Sequence, residues 1–129
     1  MNNYTKIHQD TLPPNKEGAS VWMDKLALTN GMINNKAILL AGAGMGTELT
    51  CLIRLNPKSI DAIDLSDNIY RLKEHFPQSC ITFRQADIHE LPYKSDLFDV
   101  VFNSGVMQQL RSPEIGFREL YRVTKVGGV

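Results

Sequence analysis

A chain of 129 residues, 43% of them apolar and with no biased tract, has the length of one domain with a sizeable core. Lys plus Arg (14) balance Asp plus Glu (14), and no basic run interleaves with aromatics, which excludes the electrostatic footprint of a nucleic-acid or anionic-membrane binder. Small-molecule partners are the expectation. Cys51 and Cys80 lack C-x-x-C spacing and a neighbouring histidine cluster, so they read as apolar fillers and no metal site is expected. The polar N-terminus lacks the apolar core of a signal peptide, and no run approaches the roughly 20 apolar residues of a membrane span. A cytoplasmic protein is expected.

In chain order, residues 1–17, with Pro13 and Pro14, read as a flexible arm ahead of a core spanning 18–129. Val21, Trp22, Leu26 and Leu28 predict a helix over 19–29, and strand one follows at 36–41. The apolar run Ile38-Leu39-Leu40-Ala41 stops in Gly42, Gly44 and Gly46. A helix is predicted over 46–55, with Leu49, Leu52 and Ile53 on one side and Asn56-Pro57 as its stop. Strand two covers 59–64. Ser66 caps a helix bearing Ile69, Leu72 and Phe76, which Pro77 ends. Strand three covers 80–85, a loop carries Asp87 to Asp96, and strand four covers 97–103. After a short irregular helix near 106–110, Ser112-Pro113-Glu114 starts a last helix with the stripe Phe117, Leu120, Tyr121 and Thr124, closed by Gly127-Gly128. Alternating strands and helices imply an α/β, three-layer, Rossmann-like doubly wound parallel sheet.

In such sheets ligands sit beyond the carboxyl ends of the strands. Gly42, Gly44 and Gly46 permit a sharp turn and close backbone approach, and the following helix points free N–H groups at the turn. A turn of this kind can also do no more than join strand to helix. Asp64, at the end of strand two, has the short arm and paired acceptors that suit a vicinal diol such as ribose. Asp87 after strand three reads as a contact to the base of a nucleoside, with an ordinary loop start as its alternative. Asn103-Ser104 ends strand four.

The segments Ile38–Gly46, Ile63–Ser66, Ala86–Tyr93, Leu97–Phe102 and Glu119–Gly128, in this order and spacing, resemble a class I S-adenosylmethionine-dependent methyltransferase over about residues 36–129. The branch that methylates small molecules and quinone precursors is the most similar. The resemblance implies S-adenosyl-L-methionine as cofactor and strand order 3-2-1-4. It also implies that Gly42, Ala43, Gly44 and Gly46 lie against the methionine part, that Asp64 holds the ribose and that Leu65 lines the adenine. Asp87 would accept from the adenine amino group beside the Ile88 backbone, and the Asn103 backbone would sit near the methionine amino group.

Methyl transfer from a sulfonium is an in-line displacement, so alignment and water exclusion can supply most of the acceleration. Tyr4, His8, His89 and Tyr93 are of the types that could move a proton, each with an exposed-loop alternative, and no catalytic base is assigned. Leu40 stands where many family members carry an acid that anchors the cofactor's ammonium group. Gln108-Gln109 replaces a His pair common in the related branch, and Asn103-Ser104-Gly105-Val106 differs from the Asn-Pro-Pro-Tyr of amino-group methylases.

The family enters a fifth strand at Gly127-Gly128-Val129 and continues through three strands. The expectation is therefore a core truncated after strand four, whose open edge invites a second copy or a partner chain. Trp22, Met23 and the arm are candidates to cap the cleft. Two other readings stand beside the methyltransferase: a non-catalytic cofactor-binding or partner-subunit module, and an NAD(P)-dependent oxidoreductase, for which Thr47 occupies the last glycine position of G-x-G-x-x-G.

Overall fold

The computed structural model describes residues 30–103 and 106–129. The expected arm, the helix over 19–29 with Trp22 and Met23, and Tyr4, His8, Ser104 and Gly105 lie outside the described residues. A short helix α1 (Asn30–Ile33) leads into β1 (Ala37–Ala41), α2 (Thr47–Ile53), β2 (Ser59–Asp64), α3 (Asn68–His75), β3 (Ile81–Gln85), β4 (Val100–Asn103) and α4 (Pro113–Val123). Single 3₁₀ turns occupy Ile88–Glu90 and Met107–Gln109. Among the described residues no helix is long and apolar enough to cross a membrane.

The strands form one parallel sheet in the expected order β3-β2-β1-β4. Register brings the strand ends to one rim: Ala41 lies opposite both Ile63 and Asn103, and Asp64 lies opposite Gln85. β1 is apolar at every position because both of its faces are covered. Ile38, Leu40, Ile60 and Ala62 pack on one face with Leu49, Leu52, Ile69, Leu72 and Phe76 of α2, α3 and the residue after α3. Leu39, Ala41 and Ile63 point the other way, onto Ile88, Leu91, Phe98, Leu120 and Val123.

Local signals end most elements where the sequence puts them. The Ser66 hydroxyl accepts from the Asn68 N–H at 3.0 Å at the start of α3, and Ser112 accepts from the Ile115 N–H with Pro113 in the first turn of α4. After α2 the chain turns at Asn56, whose φ is +53°.

Strand four is shorter than 97–103. The Leu97 and Phe98 N–H groups both donate to the Val123 carbonyl at 2.9 Å, and Phe98 bridges Thr124, so this stretch pairs with the end of α4 before the chain joins the sheet at Val100. The buried stripe of α4 also differs. Leu120 and Val123 face the sheet and Gly116 lies against Ile88 and Leu110, whereas Phe117 and Tyr121 are 63% and 76% exposed. A three-residue step from Leu120 to Val123 sets the face, and Phe117 and Tyr121 fall outside it.

The outer edge of β4 is not wholly open. The Val129 N–H donates to the Asp99 carbonyl at 3.0 Å, and the Val101 N–H donates to the Val129 carbonyl at 2.9 Å. Val129 thus takes the position of a parallel neighbour opposite Val100, on the edge remote from β1.

Candidate functional site

The glycine turn after β1 is held by β2. The Gly42 and Ala43 N–H groups both donate to the Ile63 carbonyl at 2.9 Å, and the Gly44 N–H donates to Asp64 Oδ2 at 2.9 Å. The Gly44 carbonyl accepts from Asn68 Nδ2 at 3.2 Å, which ties the same turn to the start of α3. Asp64 is buried, and its Oδ1 accepts from the Ser66 N–H at 3.0 Å. Each carboxylate oxygen therefore carries one backbone N–H and retains a lone pair for a ligand.

Two of the glycines do different work. At Gly42 (φ +88°) an added Cβ would come within 2.4 Å of Val106 Cγ2. At Gly46 (φ +93°) it would meet Leu72 Cδ1 at 2.8 Å and Phe76 Cε2 at 2.9 Å. The first lets the turn close against the segment after β4; the second lets α2 start beside α3.

Beyond the rim lies a cavity of about 270 Å³ lined by Gly42, Asp64, Leu65, Asp87 and Ile88. The opposite wall comes from Val106, Gln109, Leu110 and Arg111, with His89 beside Asp87. Five of the nine residues expected from the sequence therefore share one cavity. Ala43, Gly44 and Gly46 support it from behind without lining it. Asn103 does not line it either: its Nδ2 donates to the Ala41 carbonyl at 3.1 Å, and it borders a wider groove of about 850 Å³ with Met107 and Leu120. The far wall was not legible in the sequence, because the segment 106–111 has no periodic pattern and is placed by packing.

Asp87 is the best-defined polar group in the cavity. Its Oδ1 accepts from the His89 N–H at 2.9 Å and is 2.6 Å from His89 Nδ1. Burial alone would raise its carboxyl, but the bonds from the His89 backbone and ring, with the Arg111 charge nearby, outweigh that and hold it below the ordinary carboxylate value. His89 Nε2 in turn accepts from the Ser112 N–H at 3.0 Å.

Tyr93 lies outside this cavity. Its buried hydroxyl sits beside Asp61 without a hydrogen bond of good geometry, and its ring meets Phe98 edge-on at 5.0 Å. Burial, then the Asp61 charge, pushes the phenol well above its ordinary value. Leu40 is fully buried among Ile38 and Ile60 and presents nothing to the cavity.

A doubly wound parallel sheet with a glycine turn and two carboxylates at its carboxyl rim has the arrangement in which open α/β sheets take their ligands. The chain belongs to the methyltransferase domain family, whose profile matches residues 39–129. It is 30% identical over 110 residues to the chloroplastic 2-methyl-6-phytyl-1,4-hydroquinone methyltransferase of Spinacia oleracea, covering 82% of this chain and 32% of that protein. It is 40% identical over 94 residues to a malonyl-[acyl-carrier protein] O-methyltransferase of Marinomonas, covering 70% and 35%. The chain thus spans about a third of the length of these curated relatives. Its fold superimposes on that of the Haloferax volcanii protein solved with the Trm112 methyltransferase activator, with TM-score 0.80, 17% identity, and coverage of 99% of this chain and 58% of that one.

Proposed function

We propose that this chain is the cofactor-binding part of an S-adenosylmethionine-dependent methyltransferase acting on a small organic acceptor. The observation that carries the reading is the meeting of Gly42, Asp64 and Asp87 in one cavity whose remaining wall is largely apolar. When bound, the cofactor supplies a methyl group on a sulfonium, ready for displacement. The chain's task is then to bind, orient and exclude water.

The turn at Gly42, Ala43 and Gly44 takes the methionine end, where a side chain at Gly42 would collide with Val106. The spare lone pairs of Asp64 accept the ribose hydroxyls, and the exposed Leu65 side chain covers the adenine. Asp87 accepts from the adenine amino group, next to the Ile88 backbone. Gly46 supports the turn, and Asn103 holds its neighbour β1. Neither His89 nor Tyr93 is assigned as a base, since both ring nitrogens of His89 are engaged and Tyr93 lies outside the cavity. The names of the relatives include a hydroquinone and a malonyl group on an acyl-carrier protein, which supports a small organic acceptor.

Titration calorimetry with S-adenosylmethionine, S-adenosylhomocysteine and NAD tests this. Binding of both sulfur nucleosides and not of NAD is the expected result. Binding of NAD alone overturns the reading in favour of an oxidoreductase.

A further inference from the structure

The chemistry of the site leaves His89 without a role as a base, yet its ring is among the best-anchored polar groups in the structure. Its side chain is only 10% exposed, whereas that of Asp87 is 42% exposed. The Ser112 N–H donates to Nε2, so the lone pair is on Nε2 and the ring proton is on Nδ1. From there Nδ1–H donates to Asp87 Oδ1, which also takes the His89 backbone N–H. Two donors on Oδ1 fix the carboxylate's rotation and leave Oδ2 for a ligand. Ser112 is itself the N-cap of α4, whose Leu120 and Val123 are buried against the sheet. The orientation of the carboxylate is therefore referred to a rigid element.

We propose that His89 is a positioning residue that aims Asp87 Oδ2 at the exocyclic amino group of the cofactor's adenine, acting through Nδ1–H and held in that tautomer by the Ser112 N–H. The inference rests on the proposed S-adenosylmethionine site and adds a residue that sets selectivity for the base. An amino group donates to Oδ2, while the oxo group of a hypoxanthine base would face it with an acceptor. A carboxylate that can rotate discriminates less between them.

The test compares S-adenosylhomocysteine with S-inosylhomocysteine, whose base carries an oxo group in place of that amino group and a proton on the adjacent ring nitrogen. The unmodified chain should bind the adenine compound at least about tenfold more tightly, in the range of one hydrogen bond to a charged acceptor. His89→Ala should lose most of that preference, through weaker binding of the adenine compound with little change for the inosine compound. His89→Gln, which keeps a donor for Asp87 and an acceptor for Ser112, should restore it. A structural role alone would weaken both ligands equally, and that outcome overturns the proposal. Histidine-ring nitrogen NMR on the unmodified chain gives a second reading that needs no variant: a proton on Nδ1 is expected, and a proton on Nε2 overturns the proposal even if His89→Ala does not fold. Failure of the unmodified chain to bind either nucleoside overturns the cofactor site itself, a result distinct from binding without loss of preference in His89→Ala.

Discussion

The Asp64 carboxylate accepts the Gly44 N–H at 2.9 Å, so the end of β2 and the glycine turn after β1 form one mechanical unit. The acid expected to serve the ligand is also what holds the turn in shape. Binding and stability are therefore coupled at this residue, and its substitution reports on both.

Asp64→Asn retains the size of the side chain but offers one acceptor oxygen for two buried N–H groups, those of Gly44 and Ser66. A urea titration should show a loss of about 1–3 kcal/mol, the cost of leaving one buried donor unpaired. Calorimetry should show weaker S-adenosylhomocysteine binding at the same time. Unchanged stability would mean that the two Ile63 carbonyl bonds hold the turn unaided.

Gly42→Ala and Gly46→Ala should part company. Both place a side chain at positive φ, and both should destabilise the chain by about 1–3 kcal/mol. The Gly46 variant strains the contact with Leu72 and Phe76, away from the cavity, so the protein that still folds should bind cofactor with near-normal affinity. The Gly42 variant meets Val106 in the cavity wall and should lose binding. Calorimetry on the two variants below their melting temperatures distinguishes these outcomes.

Acid should unfold the chain through carboxylates that the fold holds ionised. The Ala37 N–H, with Lys125 beside it, lowers the Asp99 carboxyl despite some burial, and the Arg122 bond with the Leu91 N–H lowers Glu119. A depressed folded value means that the stabilisation is complete above the unfolded value and is lost as pH falls through the folded one. Denaturation midpoints should therefore drop as pH falls below roughly 4, the ordinary carboxylate range. Glu119→Gln should lower stability at neutral pH and flatten that dependence; an equally steep fall in the variant would remove Glu119 from the cause.

Asp61 should show the opposite sign. Burial raises its carboxyl despite the Tyr93 and Arg84 groups beside it, so its charged form opposes folding, and stability falls as pH rises through the folded value. Asp61→Asn should be neutral or stabilising at pH 7, by up to about 1 kcal/mol. Tyr93→Phe removes a buried hydroxyl with no well-formed hydrogen bond while keeping the ring against Phe98, and should also cost nothing in thermal denaturation. A large loss in either variant would identify an Asp61–Tyr93 hydrogen bond that stabilises the fold.

Much of this architecture is legible in local residue patterns. The apolar run of β1 ending in Gly42, the alternation that ends in Asp64, and the Ser112-Pro113 helix start each encode their own boundary, because backbone freedom, two-sided burial and capping act within a few residues. The order of these signals along the chain was enough for the parallel sheet and for the meeting of Gly42, Asp64, Leu65, Asp87 and Ile88 at its rim. Contacts between distant segments were decided only on folding. The loss of residues 97–99 from β4 depends on the Val123 carbonyl, and the buried face of α4 depends on which side meets Ile88 and Phe98. The division of labour between Gly42 and Gly46, the commitment of Asp64 to Gly44, and the relay from Ser112 through His89 to Asp87 join residues from 2 to 64 positions apart. Hydrogen bonds and close packing of this kind depend on three-dimensional distance, and no spacing rule along the chain contains it.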